Sequence, residues 1–262
     1  MTDPRQLIFS IAVTSASRVL LWRDLLLGRI VRDGRVETSY AGVSRHSIDS
    51  GRNVLDAVLV RPDPDAARAS VLICHGMGET VAHWFAVQQL LAASGVASMV
   101  FDYSGFGRSS GFFNASQSEQ DAVSAFVYLQ QLTAPLPVSV LGFSLGSGIA
   151  AAVVHKIAAH RLLLCAAFTS LRKAAGSIGI PKRLASLAPP IWDAEDTLPT
   201  CPVPVLVVQG EKDRLFSVRM AAELIAFCGA PSQLVIVPKL SHNEPFYRPQ
   251  LSYWGLIAAW LV

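Results

Sequence analysis

Ser144 lies in Gly142-Phe143-Ser144-Leu145-Gly146, a G-x-S-x-G run that follows the apolar stretch Val138–Leu141 and opens an alanine-rich segment. In a strand-turn-helix setting such a run forms a nucleophile elbow. The serine rides a sharp turn with its hydroxyl outward, and its neighbours must lack bulk so that strand and helix pass closely. In a chain with 18 glycines the pattern also arises by chance, with the serine serving only as a helix N-cap. A serine hydroxyl is a poor nucleophile until a base takes its proton, so the chemistry turns on a histidine and an acid that the fold brings to it. Of the histidines at 46, 75, 83, 155, 160 and 242, His242 lies beyond the last apolar run, in Lys239-Leu240-Ser241-His242-Asn243-Glu244. The acid is expected from a strand end between serine and histidine. Val205–Gly210 leads into Asp213, with Glu211 as the alternative acid. Taken singly, Asp213 reads as a local turn cap and His242 as an exposed loop residue. The chain order Ser144, Asp213, His242 at strand ends predicts a Ser-His-Asp catalytic triad.

A tetrahedral intermediate also needs backbone N–H donors aimed at its oxyanion. One is expected from Leu145, directly after the serine. The other is expected from Met77, in Cys74-His75-Gly76-Met77-Gly78, where a strand runs into a glycine-rich turn before a helix. His75 competes as a second base or metal ligand, but its expected job is structural, with the ring bonded to the turn backbone. Asp102-Tyr103-Ser104-Gly105-Phe106-Gly107-Arg108-Ser109 follows a strand and imitates a dinucleotide fingerprint. Its third glycine falls one place late, no helix starts there, and no acid stands about 20 residues on. Asp102 is expected to cap and organise the loop beside the site. No P-loop lysine, H-E-x-x-H or C-x-x-C pair occurs, so no cofactor and no metal are expected.

These residues need a scaffold, and the hydrophobic pattern supplies one. The 262 residues are 52% apolar and 16% charged, which excludes disorder, and the size is that of one large α/β domain with a short appendage. A hairpin is expected from Arg45–Ile48 and Val54–Val60. Continuous apolar runs at Ser70–Cys74, Ala97–Phe101, Val138–Leu141, Leu162–Phe168, Val205–Val208 and Leu234–Val237 read as strands covered on both faces. Helices are expected at about Thr80–Ala93, Gln117–Leu132, Leu145–Ala159, Ser217–Phe227 and Pro245–Val262. The result is an α/β fold with a mostly parallel sheet of about eight strands and helices on both faces. Uncharged stretches at Thr80–Phe101 and Ala122–His155 are broken by polar residues, Gly or Pro at loop positions, so neither reads as a membrane span. Asp3 and the brevity of Leu7–Val13 argue against a secretory signal.

The net charge of +3 is too small for a nucleic-acid-coating surface, and no nucleic-acid partner is expected. It is also localised: residues 1–35 carry six Arg (5, 18, 23, 29, 32, 35) against three Asp (3, 24, 33), which leaves the remainder balanced. A basic, apolar helix is expected over Leu7–Ile30, including Trp22, and such a helix either lies in a membrane interface or packs on the chain's own sheet or a dimer partner. Cys74, Cys165, Cys201 and Cys228 are far apart, and the first two lie in apolar runs, which suits free thiols in a reducing, cytoplasmic compartment. The domain plan is an arm over 1–43, then a catalytic domain over 44–262 with a lid insertion at 169–204. In that lid Arg172, Lys173, Lys182 and Arg183 make a basic face beside Leu171, Ile178, Ile180, Leu184 and Leu187. The chain ends on the apolar Ala258–Val262, which must pack on something.

Over nearly all of residues 44–262 the sequence resembles the α/β-hydrolase fold serine hydrolases. The resemblance rests on the His75-Gly76 turn, Asp102–Ser109, the Gly142–Gly146 elbow, Gly210–Asp213 and Ser241-His242-Asn243. It is nearest to the small-lid branch of serine aminopeptidase-like hydrolases, Bem46-like proteins and depalmitoylase relatives. The lipidated N-terminal cysteine cluster of the depalmitoylases has no counterpart, because this arm carries no cysteine. The resemblance implies Ser144 as nucleophile, His242 as base, Asp213 as its orienting acid, and Met77 and Leu145 as oxyanion donors. The expected activity is cleavage of a small-molecule carboxylic ester or thioester through an acyl-enzyme. An aminopeptidase or amidase on the same scaffold, or a silent hydrolase serving as a ligand receptor, is the alternative.

Overall fold

A computed structural model describes residues 4–26 and 41–262, apart from 178–180, 182, 184, 185 and 187. Eight strands form one sheet: β1 (Val43–Ser50), β2 (Asn53–Val60), β3 (Ala69–Cys74), β4 (Val96–Phe101), β5 (Val138–Phe143), β6 (Leu162–Cys165), β7 (Val205–Gly210) and β8 (Ser232–Val237). Their spatial order is β1-β2-β4-β3-β5-β6-β7-β8. The β1–β2 and β2–β4 pairs are antiparallel and the rest are parallel.

Side-chain alternation explains why the strands read as unbroken apolar runs. Leu72, Val140, Leu162, Leu164, Val205 and Val207 enter one core. Val71, Ile73, Leu141, Leu163, Leu206 and Val208 enter the other. Successive residues point to opposite faces, so in a sheet covered twice both sets of side chains are mostly apolar. The first face is covered by α3 (Ala115–Thr133), α4 (Leu145–Val153) and α7 (Val218–Phe227), and the second by α2 (Val81–Ala93) and α9 (Leu251–Leu261). The apolar chain end packs on that second face: Trp254, Ile257 and Leu261 are buried there, and Trp260 carries the Arg161 guanidinium 5.0 Å from its ring centre.

Three element boundaries differ from the sequence expectation. The strand expected to Phe168 stops at Cys165, where Ala166 turns to φ 47° and redirects the chain into the insertion. The helix expected to Ala159 stops at Val153, because the chain must turn back over a short distance to feed β6. The C-terminal helix expected over Pro245–Val262 is two helices, α8 (Glu244–Tyr247) and α9. Pro249 is the cause, since the residue before a proline is forced away from helical geometry, and Arg248 takes φ −137°, ψ 64°.

The insertion after β6 holds two short helices, α5 (Leu171–Ser177) and α6 (Ala194–Thr197). Two of its basic residues bond at the surface: Lys173 bonds Glu223 at 2.8 Å and Arg172 bonds the Ala188 carbonyl at 3.3 Å. Ile178, Ile180, Lys182, Leu184 and Leu187 lie outside the described residues. The arm contains a helix, α1 (Pro4–Leu26), somewhat earlier than expected. Residues 27–30 and the side chains of Arg18, Trp22 and Arg23 lie outside the described residues. Among the described residues no helix is long and apolar enough to cross a membrane.

Candidate active site

The elbow forms at the end of β5 because two glycines let backbones meet. A Cβ on Gly142 would lie 2.4 Å from the Gly146 carbonyl oxygen, and one on Gly146 would lie 1.9 Å from the Cys74 carbonyl oxygen. Ser144 takes φ 52°, ψ −118°, a conformation that costs a non-glycine residue energy and recurs where a nucleophile must project. Its N–H donates to the Cys165 carbonyl at 3.1 Å, which holds the strained residue to the neighbouring strand. Because the atom opposing Gly146 is backbone and cannot step aside, Gly146→Ala is expected to destabilise the fold by about 3 kcal/mol or more. Urea titration checks this, and an unchanged midpoint counts against the close approach.

The structure brings together the three residues singled out by chain order. The Ser144 hydroxyl lies 3.0 Å from His242 Nε2, and His242 Nδ1 lies 2.8 Å from Asp213 Oδ2. Since the carboxylate only accepts, Nδ1 carries the proton and bare Nε2 faces the serine hydroxyl. Asp213 is itself tied down: Oδ1 accepts the N–H groups of Leu215 and Phe216 at 2.8 and 2.9 Å, and Oδ2 also accepts Gln209 Nε2 at 2.9 Å. Burial pushes the Asp213 carboxyl up, but its bonds to His242 and to the Leu215 and Phe216 amides outweigh burial and hold it below the usual carboxylate range. The imidazole is wedged between Phe143 and Phe216, with ring centres 5.4 and 5.3 Å away.

Glu211, the alternative acid, goes elsewhere. Its Oε2 accepts the Lys239 N–H at 3.0 Å, and Lys212 N–H donates to the Leu240 carbonyl at 2.9 Å, so the acid turn is stitched to the histidine loop. Glu244 completes that loop by accepting the Ser241 N–H at 2.6 Å.

Leu145 is the first residue of α4, where the N–H has no carbonyl partner within the helix. Met77 sits half-buried in the turn after β3. Close packing joins the two turns, as the approach of Gly146 to Cys74 and His75 carbonyl oxygens records. His75 holds the Met77 turn from below, with Nδ1 donating to the Gly76 carbonyl at 2.8 Å. It is fully buried, and burial pushes it down to about 3. Its 3.8 Å approach to Asp102 is therefore not an ion pair. Asp102 is the expected loop organiser: Oδ1 accepts the Val81 N–H that opens α2 at 2.9 Å, and Oδ2 accepts the Arg108 N–H at 3.3 Å.

A neutral buried histidine makes the fold acid-sensitive. Below the ordinary histidine value of 6.5 the unfolded chain takes up a proton that folded His75 refuses until about pH 3, so stability falls as pH drops through that window. His75 alone should remove about 2 kcal/mol between pH 7 and pH 5. Urea titrations at both values check this: the pH difference should shrink by that amount in His75→Asn, and an equal pH dependence in both proteins would contradict a buried neutral ring.

Two supporting residues were not anticipated. Gln209 is fully buried in β7 and donates to both Asp213 and the Phe216 carbonyl, the latter at 2.8 Å. A polar residue in an otherwise apolar strand was the available signal. Glu79 is 6% exposed, and its Oε2 accepts the Gly76 N–H and Trp84 Nε1, both at 2.8 Å. Trp84 packs on Phe143 and Phe246, so Glu79 links the Met77 turn to the aromatic cluster beside His242. Among the described residues no three His, Cys, Asp or Glu side chains converge as metal ligands.

The family model for serine aminopeptidase, S33, matches residues 65–194. An uncharacterized protein of Mycobacterium tuberculosis is 27% identical over 179 residues, 67% of this chain and 63% of that protein, so the match spans less than two thirds of the relative's length. The Bem46 protein of Schizosaccharomyces pombe is 24% identical over 203 residues, 71% of this chain and 66% of that protein. Among solved structures an esterase of Pyrococcus furiosus superposes with TM-score 0.67 at 16% identity, covering 88% of this chain and 96% of that one. Sheet order, glycine-flanked elbow and these likenesses agree: the chain has the α/β-hydrolase fold, and its residues 65–194 are similar to the serine aminopeptidase, S33, family.

Proposed function

We propose that the protein hydrolyses a carboxylic ester or thioester through an acyl-enzyme formed on Ser144. The observation that carries this reading is the continuous chain Ser144–His242–Asp213, at 3.0 and 2.8 Å, on a strained elbow. His242 Nε2 takes the hydroxyl proton as Oγ attacks the substrate carbonyl. The N–H groups of Leu145 and Met77 receive the oxyanion, and His242 passes its proton to the departing alcohol or thiol as the carbonyl re-forms. Water enters, His242 removes its proton, and the hydroxide attacks the acyl carbonyl. His242 then returns that proton to Ser144 Oγ as the acid leaves. Asp213 keeps the imidazole oriented and balances its positive charge at both stages.

Amide cleavage on the same residues is the second reading, favoured by the serine aminopeptidase description of the matching family model. It requires protonation of a poorer leaving group and a partner for a substrate amine. Turnover of p-nitrophenyl esters from acetate to octanoate, measured beside aminoacyl p-nitroanilides, tests the choice. The ester reading expects ester turnover with little anilide turnover, and the reverse pattern overturns it.

A further inference from the structure

Helix α1 has two apolar faces, and the fold uses one of them. On the inward face Val13 is 4% exposed, and the Phe9 ring meets Phe113 and Trp192 edge-on at 6.3 and 5.8 Å. Phe113 lies in the loop after β4, and Trp192 lies in the insertion after β6, held by its Nε1 bond to Glu119 at 3.0 Å. Both segments leave the C-terminal ends of parallel strands, the edge of the sheet that carries Ser144. From Phe9 one set of ring contacts runs through Phe113 and Phe106 to His75 under the Met77 turn. Trp192 opens the other side: with Phe168 it closes over Gly148, and Phe168 leads through Phe216 to His242. Helix α1 therefore packs where the two walls of the site meet.

The outward face is apolar too. Leu7, Ile8 and Ile11 are 57%, 67% and 59% exposed, at helical spacing on one side, and Phe112, next to the Phe113 that α1 contacts, is 82% exposed. Single exposed apolar residues need no explanation, but a clustered set beside a site marks an interaction surface. Charge decides the partner. The six arginines and three aspartates of residues 1–35 give the arm the chain's entire net positive charge. A second copy would bring two like-charged arms together, whereas an anionic lipid surface attracts each one. We propose that the outward face of α1, with Phe112, docks on an anionic membrane and sets the edge carrying Ser144 against the lipid surface. Docking stands apart from the chemistry; that an amphiphile presented in this way is cleaved rests on the hydrolase reading above.

Co-sedimentation of the full chain with vesicles of phosphatidylcholine, alone or mixed with phosphatidylglycerol, tests it against a Leu7→Asp/Ile8→Asp/Ile11→Asp variant and a Phe112→Ser variant. These positions are exposed, so both variants should keep the wild-type melting temperature. The wild type is expected to sediment with the mixed vesicles, less so at high salt, and the triple variant to partition at least about tenfold more weakly. Equal sedimentation of wild type and triple variant, or none by either, overturns the proposal. So does a wild-type dimer in solution that the triple variant dissociates, which would assign the face to a second copy. Turnover of p-nitrophenyl acetate by the wild type is read separately: its absence with vesicle binding intact removes the hydrolase reading and leaves docking in place.

Discussion

Ser144→Ala is expected to lower kcat for a p-nitrophenyl ester by about 10⁶, with His242→Ala close behind, because the serine and histidine of a triad act as one unit. The size follows from what each removes. Without Oγ no acyl-enzyme forms, and without the imidazole the Oγ proton has no acceptor, since Nε2 at 3.0 Å is the base in contact with it. What remains is the rate that the proposed Leu145 and Met77 donors and substrate binding would sustain over water. Intact mass after treatment with a fluorophosphonate is the direct reading: one adduct on the wild type and none on either variant. The melting temperature of Ser144→Ala should stay near the wild-type value, since a lost hydroxyl opens no cavity, whereas His242→Ala empties the slot between Phe143 and Phe216 and should melt somewhat lower. An unlabelled but folded wild type would instead move the chain to the silent, ligand-receiving members of its fold.

Asp213→Asn should lower kcat by about 10⁴ while leaving the backbone of the site in place. The geometry says why an isosteric change costs so much. Oδ1 is held by the N–H groups of Leu215 and Phe216, so the amide oxygen of asparagine stays there and its NH₂ replaces Oδ2. That NH₂ then faces two donors, His242 Nδ1–H and Gln209 Nε2. The imidazole relieves the conflict by moving its proton to Nε2, which turns a donor toward Ser144 and leaves nothing to accept the hydroxyl proton. The check is single-turnover acylation together with fluorophosphonate labelling, which should become slow rather than absent. A loss below about tenfold would instead assign Asp213 to capping its own turn.

Most of the scaffold was legible in the sequence because it depends on local pattern. Six apolar runs without alternation state that both faces of a sheet are covered, and the structure sorts Val71 and Ile73 to one core and Leu72 to the other. The elbow was legible for a similar reason: spacing two glycines around Ser144 is a statement about backbone contact, which Gly146 against Cys74 bears out. The errors came where a boundary depends on what the chain must do next. Nothing in Leu162–Phe168 marks the bend at Ala166, and Leu145–Ala159 has no breaker at Val153. Pro249 did carry a local signal for the split of the last helix, and its effect on Arg248 is the residue-before-proline constraint.

What only the tertiary structure decided is partnership between distant residues. The chain pattern favoured Asp213 and kept Glu211 as the alternative carboxylate beyond β7. The fold gave one to His242 and the other to the Lys239 amide, because the two positions leave the same turn in different directions. Ser144 and His242 are 98 residues apart, and no local preference encodes the 3.0 Å between them. The same holds for Gln209 under Asp213 and for Glu79 under the Met77 turn, where a buried polar group announces a partner without naming it. Helix α1 is the clearest case. Its sequence is apolar on both sides, so periodicity could not say which side folds in; Phe113 and Trp192 chose Phe9 and Val13, and Leu7, Ile8 and Ile11 were left facing out.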